Sequence, residues 1–192
     1  MSDFPFFSEP GHPVPEALAA RLAPLAERMR YPRGHVLFGS HRTERHIYLI
    51  REGLARAFVE SDGREVTIWL GQENDVIISA QGYVYGRRGY ETMELLEDSV
   101  LDRIRLGPLR ELLHRDIDAC NWARRMIERE FVRTEQRLIF NLAVPAAERY
   151  REFVRSRPGL LRRVQLQHIA SYLGMTPEHL SRIRAAEREA KG

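Results

Sequence analysis

The sequence lacks the marks of several large protein classes. Its 192 residues include one cysteine, Cys120. A single thiol excludes an intrachain disulfide framework, a zinc finger and a four-cysteine iron–sulfur cluster. It fits a reducing cytoplasm, the expected location. No apolar run approaches the roughly 18–20 residues of a membrane span, so no membrane partner is expected. The opening MSDFPFFSEPGHPVPEA has no basic start followed by an apolar stretch, so it does not resemble a secretory signal. Internal repeats and low-complexity tracts are missing. So are a Ser-His-Asp arrangement, a nucleotide-binding glycine loop and a zinc-protease motif, leaving catalysis without candidate residues. The chain is therefore not expected to be an enzyme or to carry a cofactor.

What is present is an ordinary globular mixture, 43% hydrophobic and 30% charged. The formal charge is only +3, but it is unevenly spread. Residues 149–192 hold ten Arg and Lys against four acids, a local charge of +6; residues 1–148 sum to −3. Such asymmetry argues for a polyanionic partner and says nothing about fold.

Residues 1–15, with four prolines, read as an arm. Leu18, Leu22, Leu25 and Met29 recur at helical spacing, predicting a short helix from Pro15 to about Arg30. Strand-like runs follow at 35–38, 46–50, 54–59, 65–70, 76–78, 92–96 and 100–104, separated by glycines and turn clusters. Asp62-Gly63 is a hairpin turn, since both positions tolerate positive φ. Seven short strands predict a β-roll or barrel. The period becomes helical from Pro108, a residue suited to a first turn. A long helix is predicted over 117–142, with an apolar line of Cys120, Ile127, Phe131, Thr134 and Leu138, widened by Trp122, Met126 and Ile139. Periodicity allows this line to be core, a dimer seam, or both at once. Pro145 ends the helix, a shorter one runs to about Ser156, and Pro158-Gly159 breaks again.

The most informative stretch is LQHIASYLGMTPEHLSRIRA, Leu166–Ala185. Leu166, Ile169, Ala170 and Leu173 form one helical face, and Gly174 breaks the helix. Thr176 as N-cap, Pro177 in the first position and Glu178 in the first turn restart it. Leu180 and Ile183 then face inward. Ala170 is small where two helices must cross, Gly174 suits a left-handed turn, and Met175 can fill the gap beneath it. Two short helices so joined are a helix-turn-helix, and double-stranded DNA is the partner. Arg182 can donate twice to guanine and Glu178 can accept from cytosine. Gln165, Thr176, Ser181 and Arg184 suit phosphates; Pro177 lies on the same outward face, flanked by His179.

This order of modules resembles the Crp/Fnr family of bacterial transcription regulators. In the roll the resemblance rests on Gly34–Phe38, Ile47–Arg56 and Asp62–Ile68. In the C-terminal part it rests on Glu148–Phe153, Ile169–Gly174 and Thr176–Arg184. It implies an α+β fold of four parts: an arm (1–15), a jelly-roll-like, cyclic-nucleotide-binding-like sensor (16–105), connecting and dimerisation helices (106–142), and an all-α helix-turn-helix domain (143–192). It implies a homodimer seamed by the long helix on a pseudo-palindromic site. RNA polymerase and an unidentified small-molecule effector are the further partners it allows.

Three departures matter. Pro177 replaces a basic residue often found in the first turn of the reading helix. Family members that bind cyclic nucleotides carry a Gly-Glu pair and an Arg-Ser or Arg-Thr pair for the phosphate. Here the region runs Gly71-Gln-Glu-Asn-Asp-Val and then Gly89-Tyr-Glu-Thr, with glycine where arginine is expected. Regulation without cyclic AMP is therefore expected. The usual β-wing has no counterpart after the second helix, so Arg162 and Arg163 are expected to supply phosphate contacts instead. His35, His41 and His46 lie close together but lack a cupin's His-x-His and glutamate pattern, so no metal is expected. The competing reading is a ligand- or metal-binding β-roll sensor whose helical tail mediates protein contacts.

Overall fold

The computed structural model describes residues 14–189. Most of the proposed arm, and Lys191, lie outside them. Helix α1 (Glu16–Leu22) leads through a short 3-10 turn into strand β1 (Ala26–Tyr31). The strands β2 (Val36–Phe38), β3 (His46–Glu52), β4 (Ala55–Ser61), β5 (Arg64–Gly71), β6 (Val76–Ile77), β7 (Thr92–Leu95) and β8 (Ser99–Arg105) complete the roll. A small helix, α2 (Ala80–Tyr85), lies between β6 and β7. Two four-stranded antiparallel sheets result, ordered β1-β8-β3-β6 and β2-β7-β4-β5.

The core explains why β3 reads as one apolar run. Alternate side chains of a strand point to opposite faces. Tyr48 and Ile50 pack between the sheets with Phe38, Met93, Leu95 and Leu101. Ile47 and Leu49 face the other way, against Leu18, Leu22, Trp122 and Met126 of the helices covering the first sheet. A strand buried on both faces has no polar alternation to show. The Asp62-Gly63 turn has φ of 51° and 71°, as its sequence requires.

The expected helix from Pro15 to Arg30 is half wrong. It stops at Leu22, and Ala26–Tyr31 pairs residue by residue with β8, from Ala26 opposite Ile104 to Tyr31 opposite Ser99. Pro24 contributes no N–H to a continuing helix. On β1, Arg28 reaches across to Asp102 at 2.8 Å, and Arg51 meets the same carboxylate at 2.6 Å. The spacing of Leu25 and Met29 matched a helix by coincidence with a strand defined by distant partners.

The helical part comprises α3 (Leu106–Arg115), α4 (Ile117–Ala143), α5 (Ala146–Ser156), α6 (Pro158–Arg163), α7 (Leu166–Tyr172) and α8 (Pro177–Glu189). Asp116 caps α4, accepting from the N–H groups of Asp118 and Ala119. Pro158, expected only to break a helix, opens α6, where its missing N–H costs nothing. Helices α5–α8 enclose a core of Tyr150, Phe153, Leu160, Ile169, Leu173, Leu180 and Ile183, which Leu54 and Leu70 of the roll also join.

Candidate nucleic-acid interface

Helices α7 and α8 meet across the turn the sequence prescribes. Gly174 has φ of +65°, a left-handed conformation that glycine adopts without strain. The turn is closed by the N–H of Gly174 on the Ser171 carbonyl and the N–H of Met175 on the Ala170 carbonyl, each 3.0 Å. Ala170 is fully buried at the helix crossing, and Met175 packs half-buried under the turn. The Thr176 hydroxyl accepts from the His179 N–H at 3.2 Å, capping α8.

With Leu180 and Ile183 buried, the opposite face of α8 is open. Pro177, Glu178, His179, Ser181 and Arg182 are exposed, as is Gln165 before α7; Arg184 is half-buried. Backbone N–H bonding at the helix N-terminus, the Thr176 hydroxyl and the Arg182 charge hold the Glu178 carboxyl below its ordinary range. The first turn of α8 therefore presents an ionised acceptor beside a guanidinium donor, both free to approach a ligand.

The module does not hang free of the roll. Ser171 on α7 accepts from the Thr67 N–H of β5 at 2.8 Å and donates to the Glu65 carbonyl at 3.3 Å. Arg56, buried on β4, pairs with Glu65 and Glu94 and lies over the Phe58 ring. Its Nη1 is 2.9 Å from Nδ1 of the buried His168 on α7. Burial, then the Arg56 charge, pushes the His168 pKa down, so a neutral imidazole accepts from the guanidinium.

Farther along, Arg163 at the end of α6 is gripped by two carboxylates of the roll. It meets Glu73 at 2.8 and 2.9 Å and Glu97 at 2.6 to 3.2 Å. Hydrogen bonding from Arg163 is the main reason the Glu73 pKa falls to about 2. Arg157 donates to the Leu70 carbonyl at 3.3 Å. The expectation that Arg163 contacts phosphate is thus corrected: its donors are committed to the roll. Arg162 beside it is exposed. Sequence reasoning missed Glu73, Glu97, Arg56 and His168. Only His168, an imidazole among the apolar residues of α7, left any local trace.

A two-sheet roll, a long helix and a terminal helix-turn-helix now stand together. Residues 28–116 match the family described as "Cyclic nucleotide-binding domain". FixK2 from Bradyrhizobium japonicum superposes with a TM-score of 0.74, at 20% identity, covering 86% of each chain. A protein of the crp/fnr family from Eubacterium rectale gives 0.71 at 16% identity, covering 92% of this chain and 85% of that one. CLP, the c-di-GMP-responsive global regulator of Xanthomonas campestris, gives 0.71 at 15% identity, covering 91% of this chain and 92% of that one. This is the Crp/Fnr fold. No curated protein sequence matches the chain.

Within this Crp/Fnr fold, α4 uses only part of its apolar surface internally. Ala119, Trp122, Ala123, Met126 and Phe140 are buried. The line of Cys120, Ile127, Phe131, Thr134 and Leu138 is exposed on the described chain, with Phe131 68% and Leu138 58% accessible. Ile139, placed by the sequence beside this line, is also exposed, whereas Trp122 and Met126 turn inward. One face of α4 thus packs inward, and the face that carries the predicted line stays exposed on the described chain.

Proposed function

We propose that the chain is a homodimeric, sequence-specific DNA-binding transcription regulator of the Crp/Fnr type, working in the cytoplasm without need of cyclic AMP. The observation that carries this reading is the exposed N-terminal face of α8, where Glu178, Ser181 and Arg182 stand on a turn held by Gly174. Arg182 is the guanine reader and Glu178 the cytosine reader. Thr176, Ser181, Gln165 and Arg184 position the helix on the backbone, with Pro177 and His179 at its entry. The exposed line from Cys120 through Ile127, Phe131 and Thr134 to Leu138 is the dimer seam. A two-fold axis there would set two reading helices roughly 34–36 Å apart, one turn of DNA.

The test begins by selecting a preferred duplex from a random library with the intact protein, then measuring affinity by fluorescence anisotropy. Arg182→Ala is expected to cost about 1–3 kcal/mol on that duplex and to relax preference at one base position. Undetectable duplex binding at low salt would sink the reading.

A further inference from the structure

A cleft of about 580 Å³ opens where β8 turns into α3, bounded by the loop before β3 and by α2. That volume lies within the range of small-molecule sites. No residue of α4 lines it, so it is separate from the space between the roll and the long helix. Three arginines from three elements do line it: Arg45 from the loop, Arg105 from the end of β8 and Arg110 from α3. All three are exposed, and none of the lining residues is acidic.

The fold gathers these arginines deliberately close. His46 stands opposite Arg105 in the β3–β8 ladder, and the Leu106 N–H donates to the Arg45 carbonyl at 2.9 Å. Arg110 Nη2 donates to the Tyr83 carbonyl of α2 at 2.6 Å, which holds the guanidinium and leaves its other donors open. Gly82 lets α2 close on the loop, since a Cβ there would come within 2.6 Å of the Glu44 carbonyl.

The acids nearby are engaged elsewhere. Glu44 accepts from the N–H groups of Arg45 and His46 and lies 2.7 Å from Nδ1 of the His46 ring. Glu27, which feels the Arg105 charge, is paired with Arg103 at 2.6 Å. Among the described residues, Arg45, Arg105 and Arg110 form no ion pair. Three guanidinium groups around one cleft repel one another, a cost that a bound anion relieves. Their planar forks match the oxygens of a phosphate, and one negative charge would leave most of the excess uncompensated.

We propose that this cleft binds a small organic phosphate of at least two negative charges. Arg45, Arg105 and Arg110 hold the phosphate oxygens, and the skeleton lies along Leu106, Gly107 and Pro108. The proposal stands whether or not α8 reads DNA.

The test uses the full-length protein and glycerol 1-phosphate as probe, at about pH 7.5, where a phosphate monoester is mostly dianionic. Glycerol and butyrate are the comparators, with ionic strength held constant. The probe at millimolar concentration is expected to raise the melting temperature progressively, as mass action requires of a native-state ligand. Glycerol and butyrate should do so far less. Arg105→Gln with Arg110→Gln should weaken the probe by roughly tenfold to a hundredfold, the usual weight of charge-assisted bonds. Gly107→Leu should weaken it with every charge in place. A Cβ at that position meets nothing within 4 Å, so the side chain obstructs the cleft without straining the fold. Arg182→Ala should leave probe binding unchanged. The proposal is overturned if the probe gives no shift, if butyrate binds as well, or if the folded double variant keeps its affinity. It is overturned too if Arg182→Ala abolishes the shift, which would place the anion on α8.

Discussion

Replacing Arg163 by Met should loosen the helical module from the roll in a way that depends on pH. Methionine keeps most of the apolar stem and removes the fork that joins Glu73 to Glu97. All three side chains are about one-third exposed, at 29%, 37% and 33%. The interaction thus falls between a screened surface pair and a buried one. Two bidentate contacts in one network place the loss at about 1–2 kcal/mol at neutral pH, after allowance for solvent screening. The sign of the pH effect follows from Glu73. Its folded pKa is lowered from 4.5 to about 2, so its contribution is fully present above the unfolded value. The contribution fades as pH falls from about 4.5 toward 2. In the variant this source is removed, so the stability gap between the two proteins should narrow with acid. Urea unfolding followed by circular dichroism, at about pH 7 and again at about pH 3.5, measures the gap. A variant as stable as the parent at neutral pH would refute the reasoning. So would a gap that acid leaves unchanged.

Phe131→Glu should abolish the proposed dimer while barely changing the fold of the chain, because the side chain is 68% exposed. Light scattering should then give the 22.4 kDa chain mass, against twice that for the parent; a monomeric parent would contradict the proposed seam. Gly174→Ala should cost about 1–2 kcal/mol of stability, chiefly through its φ of +65°. The added Cβ meets the flexible end of Arg149 at 3.0 Å and makes ordinary contact with the Asn141 side chain at 3.4–3.5 Å, so thermal unfolding should show a modest loss and not collapse.

The strands and the helix-turn-helix were legible because their determinants are local. Asp62-Gly63 writes its own turn, Thr176 its own cap, and Gly174 its own left-handed bend. The double-faced burial of β3 was legible as an apolar run but not as a position between two layers. Strand β1 was illegible for a definite reason. Its identity depends on β8, about 70 residues away, where Glu27 and Arg28 find their partners Arg103 and Asp102. The clamp on Arg163 has the same character, with Glu97 and Glu73 lying 66 and 90 residues away in sequence. Periodicity could find the apolar faces of α4 but could not say which would meet the roll. That choice is made by the shape of the sheet against Trp122 and Met126.

The surplus of charge in residues 149–192 also takes on a different meaning once the partners are known. Counted along the chain, every basic residue there was equally available to a polyanion. In space, the roll's carboxylates claim Arg163, and Arg157 is turned onto a backbone carbonyl. Arg155 pairs with Glu152, and Arg151 with Glu148 and Glu187. Arg149 donates to Asn141. Apart from Arg149 and Arg157, the arginines of that segment that form no salt bridge among the described residues are Arg162, Arg182, Arg184 and Arg188. Three of these four stand on α8. Bonding to the roll takes up Arg163 and Arg157, and pairing within the module takes up Arg151 and Arg155. The cations left unpaired are mainly on the helix proposed to enter the groove. A duplex approaching α8 would therefore meet uncommitted guanidinium groups without having to break the Arg163 clamp. Docking the module on the roll and presenting its charge outward are compatible in one arrangement.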